Sequence, residues 1–115
     1  MLKQVIVMRK DLNMRKGKLV AQGAHASMKV VLLNLHSELV VEWLDSAFTK
    51  IVLSVGSEEE LLQVLYNAWA AGIMATDIID NGKTEFNGVK TRTCIAIGPD
   101  KAENIDAITG SLKLL

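Results

Sequence analysis

Four short apolar runs rich in β-branched residues, Lys3 to Met8, Lys50 to Val55, Ile73 to Ile79 and Thr91 to Ile97, set the limits on what this chain can fold into. Runs this short read as strands. The stretches between them differ in kind. From Gly17 to about Leu35 there is no proline, and Leu19, Ala26, Val30 and Leu33 recur at helical spacing, which predicts a long, mostly buried helix. Ser37 can cap a short second helix over Glu38 to Asp45, with Leu39, Val40 and Trp43 on one side. Ser57 followed by Glu60 is a capping-box pattern, with Glu58 and Glu59 at the positive end of the macrodipole, so a third helix runs to about Ala71. Gly72 suits its C-terminal turn. The last two strands are joined only through the turn-rich Asp80-Asn81-Gly82, which predicts a hairpin. Gly98-Pro99 ends the fourth strand, Asp100 and Glu103 repeat the capping pattern, and Gly110 closes a helix over Lys101 to Thr109. The expected fold is α/β in three layers, a mixed four-stranded sheet with helices on both faces, in the order β-α-α-β-α-β-β-α.

A chain of 115 residues suits one folding unit, so residues 1–115 are expected to form a single domain. Hydrophobic residues at 50% against 23% charged supply a core and exclude a disordered chain. The lone Cys94 has no internal disulfide partner, and nothing at the N-terminus resembles a signal peptide, so a reducing cytoplasm is expected. The longest apolar runs fall far short of the roughly 20 residues that cross a bilayer, so no membrane partner is expected. Tyr66, Trp43, Trp69 and Phe48 are expected in the core rather than as stacking platforms.

Formal net charge is zero, but its distribution is uneven. Residues 1–29 hold Lys3, Arg9, Lys10, Arg15, Lys16, Lys18 and Lys29 against Asp11 alone, a local charge of plus six; six basic and twelve acidic residues follow, minus six. Local potential rather than net charge steers binding, so the N-terminal part is suited to an anionic partner. The basic loop Arg9 to Lys16 leaves the carboxyl end of a strand, where open α/β sheets gather their ligands.

In the helix that follows, Lys18, Gln22, His25 and Lys29 share one face. A polar line on a buried helix must meet water or partners that satisfy it. Arg15, Lys16 and Lys18 crowd the helix start, where basic side chains oppose the macrodipole unless an anion sits there, and Gly17 permits close approach. The loop is not a P-loop: the spaced glycines are missing, and Leu19 stands where a hydroxyl would hold magnesium. A second constellation, Asp80, Thr84 and Thr93, comes from the end of the third strand and the hairpin. If that hairpin folds beside the first strand, Asp80 can meet Lys18. The histidines and the cysteine lack metal-ligand spacing, so no metal site is expected. Cys94 reads as a buried structural thiol, and Ser27 points away from His25, which excludes a dyad from that pair.

Arg9-Lys10-Asp11-Leu12-Asn13-Met14-Arg15-Lys16-Gly17-Lys18, followed by Ala21-Gln22-Gly23-Ala24-His25-Ala26, resembles the type-two peptidyl-tRNA hydrolase family. So do Asp80-Asn81-Gly82-Lys83-Thr84, Ile95-Ala96-Ile97-Gly98-Pro99 and Ile108-Thr109-Gly110-Ser111-Leu112-Lys113-Leu114, and the four ordered segments cover essentially the whole chain. The resemblance implies hydrolysis of the ester joining a peptide to the terminal ribose of tRNA, without a cofactor. It implies Lys18, Asp80, Thr84 and Thr93 as working residues, Gln22 and His25 lining the same site, and Arg9, Lys10, Arg15 and Lys16 on the tRNA backbone. It also implies a homodimer. Arg15 stands where the family usually has glycine, Asn81 where it has alanine, and the hairpin Glu85 to Lys90 lacks the usual proline and is one residue longer. Thr91, on the same strand face, is therefore the alternative to Thr93. A tRNA-binding module of the same fold, without hydrolysis, is the rival reading, and a general small-ester hydrolase is a second.

Overall fold

Val5, Ile6, Val7 and Met8 are all buried, the pattern of a strand covered on both faces rather than on one. The computed structural model, which describes residues 1–115, makes this strand the centre of the sheet. The elements in chain order are β1 (Leu2–Arg9), α1 (Lys16–Leu32), α2 (Glu38–Asp45), β2 (Lys50–Val55), α3 (Glu58–Ala70), β3 (Ala75–Asp80), β4 (Thr91–Lys101), α4 (Ala102–Thr109) and β5 (Lys113–Leu114). The sheet order is β3-β4-β1-β2-β5, with β1 and β2 parallel and β4 antiparallel to both of its neighbours.

The period of a strand divides the core in two. Val5 and Val7 pack with Leu61, Val64, Leu65 and Ala68 of α3 and Ile105 of α4, while Ile6 and Met8 pack with Met14 and with Ala26 and Val30 of α1. Helices cover both faces, as expected. Gln4, fully buried in β1, accepts from Ser27 Oγ at 2.6 Å through Oε1, and its amide reaches the Gly98 carbonyl at 3.3 Å, which ties α1 to the end of β4.

The structure corrects the expected fold in several places. The sheet has five strands, not four: Lys113 and Leu114 pair antiparallel with Ser54 and Leu53 of β2. Two residues are too few for any periodic pattern to register. Pro99 does not end β4, which continues to Lys101. The register shifts between Lys3 and Val5, so Pro99 falls where the ladder skips a partner and its missing N–H costs nothing. β3 begins at Ala75 rather than Ile73. The Ile73 and Gly72 N–H groups bond to the Ala68 and Trp69 carbonyls, a Schellman ending with Gly72 at φ +74°, so Ile73 closes α3 instead of opening a strand.

Ser57 caps α3 as expected, accepting from the Glu60 N–H at 3.1 Å, while Glu60 reaches back to the Gly56 N–H at 3.2 Å. Asp100 does not cap α4: the cap position is Lys101, and Asp100 Oδ1 instead accepts from the Lys101 N–H and from Asn104 Nδ2. Ser37 occupies the cap of α2 without a side-chain bond. α1 is not mostly buried; only Gln22, Ala26 and Val30 are. Of the aromatics expected in the core, Trp43 is buried, whereas Phe48, Tyr66 and Trp69 are each about half exposed. No helix is long and apolar enough to cross a membrane.

Candidate active site

Because β4 lies between β1 and β3, the hairpin end of β3 stands against the first turns of α1, which leave the carboxyl end of β1. Lys18 Nζ donates to Asp80 Oδ1 at 2.8 Å and to Thr84 Oγ1 at 3.1 Å. Gln22, one turn further along α1, donates its amide to the same Asp80 oxygen at 3.2 Å, and the Gly82 N–H donates to Oδ2 at 2.8 Å. Asp80 and Thr84, distant in the chain, therefore both meet Lys18.

Asp80 ends the strand and Gly82 turns the chain at φ +79°, with the site of its absent Cβ 2.3 Å from the Val89 carbonyl oxygen. Only glycine fits there, and the loop that presents Thr84 is pinched shut at that point. The Lys18 ammonium bonded to it holds the Asp80 carboxyl below its ordinary range; burial opposes this, while the Gly82 N–H, the Lys18 charge and the Gln22 amide reinforce it. The side chains of Lys18 and Asp80 are 14% and 15% exposed, so the pair is shielded yet open to one side.

Thr93 sits deeper. It is fully buried and donates to Gln22 Oε1 at 2.5 Å, which fixes the amide so that its NH₂ faces Asp80. Thr91 turns elsewhere, donating to the Val89 carbonyl at 2.9 Å. Cys94 donates to the Gln22 carbonyl at 3.3 Å, and burial pushes its thiol up to about 11. It is inert packing, as expected of it.

The remaining stripe residues diverge. His25 is exposed and borders a shallow recess with Met28, Lys29, Leu32, Leu33 and Ile78, with no hydrogen bond to the Lys18 cluster. Arg9 turns to the other face of the sheet, bonding Asp11 at 2.8 Å and the Arg92 carbonyl at 3.0 Å. Arg15 pairs with Glu85 at 3.0 Å from the hairpin but stays 81% exposed. Lys10 and Lys16 are exposed and form no ion pair. Two features had no signal in the sequence: Phe86, whose ring lies 5.7 Å from Lys18 Nζ, and the Arg92 guanidinium held between Asp77 and Glu58. The first depends on where an irregular hairpin lands, the second on the packing of β3, β4 and the start of α3.

The other flank of α1 carries no such chemistry. Leu19, Val20, Gly23, Met28 and Val31 face α2 and the β2 edge across a groove of about 850 Å³, closed at one end by Leu114 and Leu115. Val20 and Met28 are 73% and 65% exposed in it.

Residues 2–115 match the family model described as Peptidyl-tRNA hydrolase PTH2. The chain is 44% identical to a peptidyl-tRNA hydrolase of Methanocaldococcus jannaschii over 99% of its own length and 100% of that protein's. It is 48% identical to one of Nanoarchaeum equitans, covering 99% of each, and 47% identical to one of Haloquadratum walsbyi, covering 98% and 99%. The solved structure of an Agrobacterium protein of unknown function shares the fold, with a TM-score of 0.64 at 11% identity over 99% of this chain and 97% of that one.

Proposed function

The chain belongs to the peptidyl-tRNA hydrolase PTH2 family, and on that footing we propose that it cleaves the ester between peptide and tRNA through Lys18, Asp80 and Thr84, releasing free tRNA and free peptide. The observation that carries the assignment of roles is the convergence of Lys18 Nζ on Asp80 and Thr84, 62 and 66 residues away in the chain.

An ammonium has three protons to donate. Two are committed to Asp80 and Thr84, and the third is directed at the substrate carbonyl, where it stabilises the oxyanion that forms as water attacks. Asp80 accepts from Lys18, Gln22 and Gly82, so its lone pairs are largely taken. It acts as a fixed counter-charge that aims Lys18 rather than as the general base. Thr84 accepts from Lys18, which leaves its own O–H proton free to bond a water beside the carbonyl carbon. Attack breaks the bond from carbonyl carbon to ribose oxygen, and the proton shed by water is taken up by that oxygen. Thr93 and Gln22 position Asp80 and touch no substrate; buried as they are, their place is behind the reacting atoms.

Lys10, Arg15 and Lys16 are exposed between the end of β1 and the first turn of α1, and their reading is contact with tRNA phosphates, which gives affinity without sequence selection. We read residues 1–115 as one folding unit working in a reducing cytoplasm, where the buried free thiol of Cys94 is stable. The apolar groove beside α1, with Val20 and Met28 largely uncovered in it, supports a homodimer that would bury them.

Incubation with a peptidyl-tRNA and, separately, with an unblocked aminoacyl-tRNA tests the reading. Peptide is released from the first, and release is lost in Lys18→Ala. Cleavage of neither leaves only a tRNA-binding module. Turnover of simple esters that survives high salt points to a general esterase instead.

A further inference from the structure

β3 is the edge strand of the sheet, so one row of its main-chain groups has no neighbouring strand. The row can be identified. The Met74 carbonyl accepts from the Gly98 N–H of β4, so alternation turns Ala75 and Asp77 outward; the register shift beyond Ile78 leaves its extra residue, Thr93, on β4, so β3 keeps its alternation and Ile79 faces outward as well. Two of these are covered by side chains that reach round the edge: Trp69 Nε1 donates to the Ala75 carbonyl at 3.0 Å, and Lys29 Nζ donates to the Asp77 carbonyl at 2.9 Å. Nothing reaches Ile79, whose side chain is itself 49% exposed. The one open step on this edge is thus the residue next to Asp80.

On the α1 side of the same strand end lies the recess of about 420 Å³ floored by Ile78 and walled by His25, Met28, Leu32 and Leu33. Leu32 and Leu33 are 57% and 66% exposed there. The recess starts one helical turn beyond Gln22 and leads away from Lys18. A free strand edge and an apolar trough, both at the end of β3 that carries Asp80, suit one occupant: an extended peptide.

We propose that the main-chain N–H and C=O of Ile79, together with the recess between α1 and Ile78, form the subsite for the peptide of peptidyl-tRNA. This rests on the hydrolase reading and deepens it. The peptide being cleaved has no fixed sequence, so recognition through the main chain, with a permissive apolar trough for side chains, is what strand addition provides. Ile79 adjoins Asp80, which bonds Lys18, so an extended peptide that runs along this edge from a carbonyl held at Lys18 meets Ile79 through the residues nearest the ester. An unblocked aminoacyl ester has no such group and gains nothing from the edge. Lys29 and Trp69 close the rest of β3, which limits pairing to the residues nearest the ester.

The test uses the whole protein and a blocked tripeptidyl-tRNA, made in versions with each of the two amides nearest the ester N-methylated in turn. A strand edge bonds every second residue, so methylation of one amide raises KM about fivefold, the loss of one hydrogen bond, while the other changes it little and kcat holds. Leu33→Asp raises KM more for the tripeptide than for a single N-acetylated residue. Equal KM values for all three substrates, with cleavage intact, overturn the proposal and leave hydrolysis standing. Failure to cleave the unmodified substrate removes the hydrolase reading and this proposal with it.

Discussion

The two flanks of α1 are built from the same seventeen-residue helix and solve opposite problems. On one, Lys18 and Gln22 are polar, shielded and bonded to the hairpin, so each group is satisfied inside the chain. On the other, Val20, Gly23 and Met28 are apolar and largely uncovered, so their free energy is unsettled until something packs on them. A polar flank held by bonds within the chain can be tuned for chemistry because its geometry is fixed before any substrate arrives. The open apolar flank is completed only from outside. Changes on the first should move kcat or folding stability; changes on the second should move assembly.

The sharpest way to break this contrast is Lys18→Ala, which should lower kcat on peptidyl-tRNA about 100-fold or more, the usual loss of one oxyanion donor, with the oligomeric state by light scattering unchanged. Thr93→Val strands the Gln22 amide oxygen in a fully buried place, and urea unfolding should show a loss of about 1–3 kcal/mol. Val20→Asp tests the other flank: on the proposed homodimer, sedimentation should show the variant shifted to monomer relative to the parent chain, with kcat kept within about twofold. If Val20→Asp lowers kcat as far as Lys18→Ala does, the two flanks are not separable.

The Asp80 carboxyl is held lower in the folded chain than its ordinary 3.8, so the stability it contributes is present above that range and is lost as pH falls through it. Below about pH 4 the parent chain should therefore lose stability faster than Asp80→Asn, as followed by thermal melts at successive pH values. The smallest effect belongs to the loop. Lys16→Ala should raise KM by a few-fold at low salt and reduce the slope of log affinity against log salt by about one.

What the residues disclosed in advance follows from how local each signal is. The Ser57–Glu60 cap and the helix over Glu58–Ala70 are settled within a few residues, and the structure keeps them. From sequence, the meeting of Lys18 with Asp80 is conditional on the hairpin lying beside β1, because strand order is not a local property. β4 supplies that condition by lying between the two. The errors share one cause. Pro99, Ile73 and Asp100 each carry a local rule, a breaker, a strand former and a cap, that a neighbouring element overrides through a register shift, a helix ending or a bond to Asn104. Thr93 against Thr91 was undecidable from spacing, since both lie on one strand face. In the structure Thr93 bonds Gln22 and Thr91 bonds the Val89 carbonyl.

The pairing of β1 with β4 has a consequence in time. Residues 2–8 find their partners only at residues 94–101, so on a ribosome, which adds residues from the N-terminus, the central strand waits for most of the chain before its antiparallel side can close. Lys18 is made early and Asp80 late. An enzyme that cleaves peptidyl-tRNA has no assembled site of its own until its synthesis has passed β4.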